Sequence, residues 1–511
     1  MGIKLNFFDC LVQRRYRYCA FIVLLSVLLK VLVLAIGKGI YDYYDVLGYI
    51  TNGACFLRDG ASWPSAIGYV ELEKGITSSD YIGGLYPNHL FSIIIGLFFK
   101  LTGKVSVLHL TYLSSFIAAV GNIFLGFAIK RFFPSRHAVL VLVLILINSQ
   151  IWHTTSRPIT DPWAWTIIMV IFWGMVTNRF NGFGVGVLIG VAGLFRGQML
   201  QFVPILPLLK QNRIGAGGFF KEFLKILIGT LITVFVFQIC FSAFIKTQDN
   251  SVQYYVNDIM RSFKKTEFIS MITWFLHWSS KFLYSHFPCA FLFTIMFLFC
   301  QTRCERDTVM KKMAVFAIIA VLPPLICYSI IAGVGCDARY YIYAIPMFYI
   351  VAYEFCTKPT NKKTRNILVS IFAGYSIVSG ALFMRKGALD LSSFTKEAIY
   401  REKLDVTDLS ETDKFIRNNF SNNSVLMINN WFISAYHSGR NLVWIPSVEV
   451  FKRGINNCMV DGIVLIIQEE CREKIKNWLD LDSITDDKGN TFVCVLRENK
   501  RWMISAVFVK K

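Results

Sequence analysis

The sequence predicts a polytopic α-helical membrane protein of about 11 transmembrane helices that ends in a small extracytoplasmic α/β domain. Three observations carry that expectation. Hydrophobic residues make up 55% of the 511, more than an ordinary soluble domain contains. They gather in long runs separated by short basic loops. After about Leu382 the runs give way to alternating β-rich and charged segments.

The first apolar stretch, 20–36, follows Arg14, Arg15 and Arg17. No small-residue cleavage site precedes the next charged loop, so the stretch is expected to stay as a signal anchor. Spans are expected near 19–36, 107–129, 138–152, 163–177, 183–196, 198–209, 222–246, 284–300, 313–332, 340–356 and 366–384. Pro323 and Pro324 fall inside one of them, where they remove backbone donors and should kink the helix.

Formal net charge is +20, which could suggest a nucleic-acid partner, but its placement argues against one. Residues 385–511 are nearly balanced, and the excess lies in short loops such as Lys130/Arg131/Arg136, Lys210/Arg213/Lys221, Arg303/Arg306/Lys311/Lys312 and Lys358/Lys362/Lys363/Arg365. With the N-terminus inside, eleven spans put all these loops inside and the C-terminal segment outside. The division is therefore 1–384, a membrane domain including the outer loop 37–106 with interfacial helices, and 385–511, the extracytoplasmic domain.

Segments 37–106 and 247–283 mix aromatics, charges and short amphipathic pieces, as helices lying along a membrane surface do. In the tail, runs at 425–428, 442–445, 462–467 and 492–496 read as strands and 410–420 and 470–479 as charged helices. That alternation favours a mainly parallel sheet. The chain has 13 cysteines and no CxxC pair. Cys240, Cys289, Cys327 and Cys356 read as small hydrophobes buried in spans, and the three in the tail, an odd number, do not make a disulfide framework.

The expected outer rim carries the chemistry. Carboxylates are costly beside a low-dielectric core, so each needs a cation, a capping task or a function. Asp42 and Asp45 stand three apart after the first span; either can be a solvated or capping residue instead. Asp161 precedes Pro162 and an apolar run, the pattern of a helix N-cap. Arg157, Arg196 and Arg339 lie on the side where charge bias disfavours cations. Arg157 can pair with Asp161 and Arg339 with Asp337, whereas Arg196, in GLFRGQ, has no adjacent acid. Guanidinium forks match phosphate oxygens, so a phosphate-bearing lipid suits these arginines. His89, His153, His277 and His286 fit no metal-ligand spacing, so no metal is assigned and a divalent ion stays open. Trp152, Trp163, Trp165, Trp274 and Trp278 read mostly as an interfacial belt.

Taken in order, these pieces resemble the GT-C superfamily of polyprenyl-phosphate-sugar-dependent glycosyltransferases, in its bacterial branch related to protein O-mannosyltransferases and the lipid A aminoarabinose transferase. The match runs through Asp45, Tyr49 and Gly60; Tyr86, Pro87 and Gly103; Asp161; Arg196; Arg339, Tyr340 and Pro346; then the exported tail. The resemblance implies a GT-C-like fold and transfer of a sugar from a polyprenyl-phosphate donor to a lipid, glycan or protein acceptor on the outer face, with inversion. It implies Asp45 as catalytic base, Asp161 shaping the same site, and Arg339 with Arg196 and Arg157 on the donor phosphate. Asp42, Tyr49, Tyr86, His89 and Tyr340 are the further substrate-binding candidates. The chain departs from the lipid A type at Leu85, Tyr86, Pro87 and Asn88, where those enzymes carry Lys and two prolines, and at Val46, where a Glu is common.

A transporter or lipid-linked sugar flippase is the competing class. Coupled carriers need ionisable groups at mid-depth, and the expected spans hold only Lys30, Arg196, Lys225 and Glu354, near their ends. A receptor has no use for the long outer loops. Use of Lys, Ile and Asn leans bacterial, so the expected location is a bacterial cytoplasmic membrane with the active site and tail outside.

Overall fold

The computed structural model describes residues 24, 27, 53, 66–68, 89–103, 107–155, 159–210, 216–245, 268–285, 288–300, 305–330, 340–402, 411–421, 424–428, 441–444, 461–467, 481–485, 489–500 and 503–511. The chain divides into two compact units. One comprises Met1–Tyr41, Leu108–Phe237 and Val252–Thr395; the other comprises Asp42–Val107, Gln238–Ser251 and Lys396–Lys511. The division read from the sequence differs in grouping the loop 37–106 with the bundle.

In the second unit, helix α1 spans His89–Thr102. The bundle of the first unit follows: α2 (Val107–Phe132), α3 (Ser135–Leu146), α4 (Ser149–Thr155), α5 (Asp161–Val176), α6 (Gly182–Phe195), α7 (Ala216–Ile245), α8 (Phe268–Ser285), α9 (Pro288–Phe299), α10 (Glu305–Ile330), α11 (Ile345–Thr357) and α12 (Lys362–Glu402), with the last residues of α7 and α12 falling in the second unit. Among the described residues, four helices are long and apolar enough to cross a membrane, in α2, α7, α10 and α12, and α1, α3, α5, α6, α9 and α11 add shorter apolar helices. The chain is an integral membrane protein.

Two kinds of helix share this bundle. On α7, Leu224, Ile228, Leu231, Phe235 and Ile239 point outward, whereas on α11 Ile345 to Tyr353 are all buried. An apolar surface of the first kind is stable only against lipid, so α11 is the core and α7 the periphery. α7 lies close on α6 because Gly186 has no side chain: a Cβ there would stand 2.2 Å from the Ile226 carbonyl oxygen. Of the intramembrane cysteines, Cys356 is buried and Cys240 is exposed on the outward side of α7, so burial does not account for Cys240.

The structure corrects several expectations. Residues 198–209 are not a span; they form two 3-10 turns, Gly197–Phe202 and Leu206–Leu209. Pro204 and Pro207 remove the amide donors a continuous helix would use, and the turns are buried through Met199, Phe202, Leu206 and Leu209. The expected span 138–152 breaks at Asn148, whose Oδ1 accepts from the amides of Gln150 at 3.1 Å and Ile151 at 3.3 Å and so caps α4. Trp165 is a core residue, fully buried, with its indole N–H donating to Asn122 Oδ1 at 3.0 Å. Pro323 and Pro324 lie inside α10, where the sequence places them.

The second unit contains a seven-stranded sheet in the described residues, in the order β1-β3-β2-β4-β7-β6-β5. Its strands are β1 (Ala66–Gly68), β2 (Val425–Ile428), β3 (Asn441–Trp444), β4 (Gly462–Ile467), β5 (Ser483–Thr485), β6 (Thr491–Lys500) and β7 (Met503–Lys510). The β1-β3-β2-β4 half is parallel and the β4-β7-β6-β5 half antiparallel. The sheet is thus mixed rather than mainly parallel, because β6 and β7 pair as a hairpin. Helix α13, Glu411–Asn419, packs on it. The buried Glu498 carboxylate of β6 accepts from the amides of Glu411 at 3.3 Å and Thr412 at 3.0 Å, giving the helix N-terminus the anion its dipole and open donors favour.

Candidate active site

Three chain segments of the bundle meet at Asp161. The first is the start of α5. Its N-cap is Thr160, which makes no side-chain capping bond, so Asp161 is the first helical residue and not the cap its position before Pro162 suggests. Its carboxylate turns instead to the second segment, the junction after α6. There Arg196 leaves the helix with extended backbone, φ −154° and ψ 103°, and its Nη1 donates to Asp161 Oδ1 in an ion pair. The third segment is the turn before α11, where the Tyr343 hydroxyl donates to the same Oδ1 at 3.3 Å and the Arg196 guanidinium lies 4.9 Å from the Tyr340 ring centroid.

The pair is withdrawn from solvent, with side-chain exposures of 8% for Arg196 and 1% for Asp161. Removing two charges from water costs several kcal/mol per ion, which only close geometry and further hydrogen bonds offset. Those bonds are present. Arg196 Nε donates to Gln198 Oε1 at 2.7 Å, and the Tyr340 face adds a cation–π contact. Trp163 stacks on Phe195 at 5.4 Å, fixing the start of α5 against the end of α6. Phe202, from the first 3-10 turn, stands edge-on to Tyr343 at 6.2 Å and stacks on Phe316 of α10 at 5.9 Å. The broken helix therefore has a local use: it aims Arg196 and Gln198 inward and seats Phe202 under Tyr343. Gly197, between Arg196 and Gln198, is exposed, so the buried pair lies one residue from an accessible surface.

A second charged cluster stands at the far end of α11, roughly 22 Å away at 1.5 Å per residue from Tyr343 to Lys358. Glu354 pairs with Arg306 of α10, and Lys358 with Asp307 at 3.2 Å. His137 of α3 bonds the Tyr353 hydroxyl.

Of the residues singled out from the sequence, the structure brings together Asp161, Arg196 and Tyr340. Arg196 was read as lacking an acid; its acid is Asp161, distant in sequence. Asp42, Asp45, Tyr49, Tyr86, Arg157 and Arg339 lie outside the described residues, as does the Arg157–Asp161 pairing. His89 opens α1. Sequence reasoning missed Tyr343 and Gln198. Their signals were a Tyr-Tyr-x-Tyr run at 340–343 and a polar residue two places after Arg196 in an apolar stretch. Among the described residues, no group of three His, Cys, Asp or Glu side chains is placed to hold a metal ion.

No protein-family model and no curated protein matches the sequence. Among solved structures, the chain is similar to ArnT from Cupriavidus metallidurans bound to undecaprenyl phosphate, with 12% identity and a TM-score of 0.53 over 95% of this chain and 97% of that one. A likeness with a TM-score of 0.47 and 12% identity, over 95% of this chain and 74% of that one, links it to the oligosaccharyltransferase AglB from Archaeoglobus fulgidus in complex with an inhibitory peptide and a dolichol-phosphate. The agreement with ArnT runs nearly end to end in both chains, and the two share a fold.

Proposed function

We propose that the protein is a membrane glycosyltransferase that moves a sugar from a polyprenyl-phosphate donor to an acceptor on the outer face of a bacterial cytoplasmic membrane. The observation that carries this reading is the buried Asp161–Arg196 pair under Tyr340 and Tyr343, set in a GT-C fold. ArnT was solved with undecaprenyl phosphate, the ligand class this reading gives the present chain.

In the proposed reaction an acceptor oxygen attacks the anomeric carbon, the bond from that carbon to the phosphate oxygen breaks, and its electron pair leaves on the phosphate. Asp45 takes the acceptor's proton. A phosphate departs as a stable anion, so one base suffices and no general acid is needed, unlike the carboxyl pair of a glycoside hydrolase. Single displacement inverts the anomeric centre.

Arg196 then supplies charge to the departing phosphate. A guanidinium has five donors, and its geometry here is fixed by Asp161, Gln198 and the Tyr340 ring before any ligand arrives. Preset donors in a site shielded from water give the largest electrostatic stabilisation. Asp161 acts by orienting Arg196, and Arg339, next to Tyr340 in the sequence, and Arg157 are further phosphate contacts. Asp42, Tyr49, Tyr86 and His89 are proposed to touch the sugar or acceptor.

The test is to incubate membranes containing the protein with a panel of radiolabelled polyprenyl-phosphate sugars and ask which label moves. Asp45→Asn should abolish transfer while leaving expression and binding of polyprenyl phosphate intact. Full turnover by that variant would remove the base assignment, and no movement of any label by the wild type would remove the function.

A further inference from the structure

The chain from Arg196 to Lys210 makes no helical span, yet it covers the depth of α6. Arg196 follows the last residue of α6, whereas Lys210 lies level with its first: Lys210 Nζ is 2.9 Å from Glu222 Oε2, and a Cβ on Gly182 would stand 2.8 Å from that same oxygen. The segment therefore retraces the helix, a return of about 20 Å at 1.5 Å per residue. It does so on i→i+3 bonds. The amides of Met199, Val203, Ile205, Leu208 and Lys210 donate to the carbonyls three residues back at 2.8–3.2 Å, a longer run of 3-10 backbone than the ~3–4 residues usual for it.

Three residues per turn put 198, 201 and 204 on one face, and that face differs from its neighbours. Met199, Phe202 and Ile205 are buried, and Leu200 closes on Gly193, where a Cβ would stand 2.6 Å from Leu200 Cδ2. Gln198 and Gln201 are half-buried and Pro204 is exposed. Gln201 folds its amide nitrogen out of solvent, with no hydrogen-bond partner among the described residues. A primary amide left so is costly, and one presented to hydrocarbon is no better off. The face is suited to polar company and not to lipid.

We infer that Gln198, Gln201 and Pro204 form a polar track leading inward from Arg196, and that Gln201 contacts the sugar of the donor. This rests on the proposed transferase reading and deepens it. Gln201 stands five residues from Arg196, about 10 Å along a 3-10 helix at 2.0 Å per residue. A sugar bound through its phosphate to the guanidinium bridges that separation when both side chains reach toward it. The cation takes the phosphate; a neutral amide, donor and acceptor at once, matches hydroxyl groups. A site that pairs with a hydroxyl rejects an analogue lacking it more strongly than an apolar wall does, which makes Gln201 a specificity-determining residue.

Two measurements on the full-length protein in membranes test this. The first needs no activity. In a background whose native cysteines are replaced, Gln201→Cys and Pro204→Cys should react with a quaternary-ammonium methanethiosulfonate, a charged reagent that stays in water, and Phe202→Cys and Ile205→Cys should not. No reaction at 201 and 204 would overturn the track. Undecaprenyl phosphate bearing the transferred sugar should suppress the reaction at 201, and undecaprenyl phosphate alone should not. Equal protection by the two would assign the track to the lipid chain and overturn the sugar contact.

The second measurement separates sugar from phosphate. Gln201→Leu should raise the donor KM about tenfold, narrow the choice among sugars in the panel, and leave inhibition by undecaprenyl phosphate unchanged. Gln201→Met, closer in shape to glutamine, should do the same. An unchanged donor KM, or equal weakening of donor and undecaprenyl phosphate, would overturn the contact. If the labelling pattern holds but the wild type transfers no sugar, the transferase reading fails and the sugar contact fails with it, while the polar track stands.

Discussion

The two ends of α11 hold charge in different ways, and the contrast separates a site from a fastening. At the N-terminal end, Arg196 and Asp161 are exposed by only 8% and 1%, and the arginine sits on extended backbone between a helix and a 3-10 turn. At the C-terminal end, Arg306 is 44% exposed beside Glu354, and both of these ride on regular helices. The second arrangement ties α11 to α10 with largely buried acids, but its Arg306 remains partly hydrated, which lowers the cost of the charge. The first buries a full ion pair, breaks a helix to do so and surrounds it with two tyrosines and a glutamine, an expense that packing alone does not require.

The largest expected effect tests that contrast directly. Arg196→Ala should reduce donor-dependent kcat/KM by about 100-fold or more, the scale of losing one preset charge donor. It also leaves Asp161 buried without its cation, so the protein should lose thermal stability, by about 3–5 kcal/mol. The informative comparison is Arg196→Lys, which keeps the charge but not the planar fork. If Arg196 only balances Asp161, lysine should restore both stability and transfer; if it meets a phosphate, lysine should restore stability and leave transfer impaired.

This end of the molecule also shows how far a sequence can be read. Long helices and the C-terminal sheet were legible because hydrophobic runs, their basic borders and the change of pattern after them are local signals. Asp161 and Arg196 stood out because charge beside an apolar run has a cost that does not depend on the fold. Their pairing was hidden, since it joins residues on different helices and only packing brings them together. Residues 198–209 looked like a span because composition does not distinguish lipid-facing from protein-buried apolar residues; Pro204 and Pro207 were the available contrary signal. β1 was beyond reading, because a three-residue strand has no periodicity and its partner lies at the other end of the chain.

A smaller effect is expected at the fastening. Glu354→Gln keeps the shape of the side chain and removes its charge. Arg306 can rehydrate, being nearly half exposed, so the loss should be about 1–2 kcal/mol, read as a fall of a few degrees in Tm. Transfer per folded molecule should be unchanged. A drop in kcat at constant folded fraction would show that the far end of α11 is coupled to the site, and the contrast drawn here would be lost.

The smallest expected effect is the sharpest discriminator. Arg306→Met with Glu354→Leu replaces an ion pair by apolar groups of similar volume, and such exchanges are often neutral or stabilising because the desolvation cost disappears with the charges. Arg306 also lies 5.4 Å from the Phe133 ring centroid, a contact that a methionine thioether can partly replace. The double variant should therefore match the wild type in Tm to within a degree or two and in transfer rate. The equivalent exchange at the other end, Arg196→Met with Asp161→Leu, should also fold, since it too removes both charges at once, yet it should transfer no sugar. Equal activity in the two double variants would mean that the Asp161–Arg196 pair is a fastening like its counterpart, and that the donor phosphate is held elsewhere.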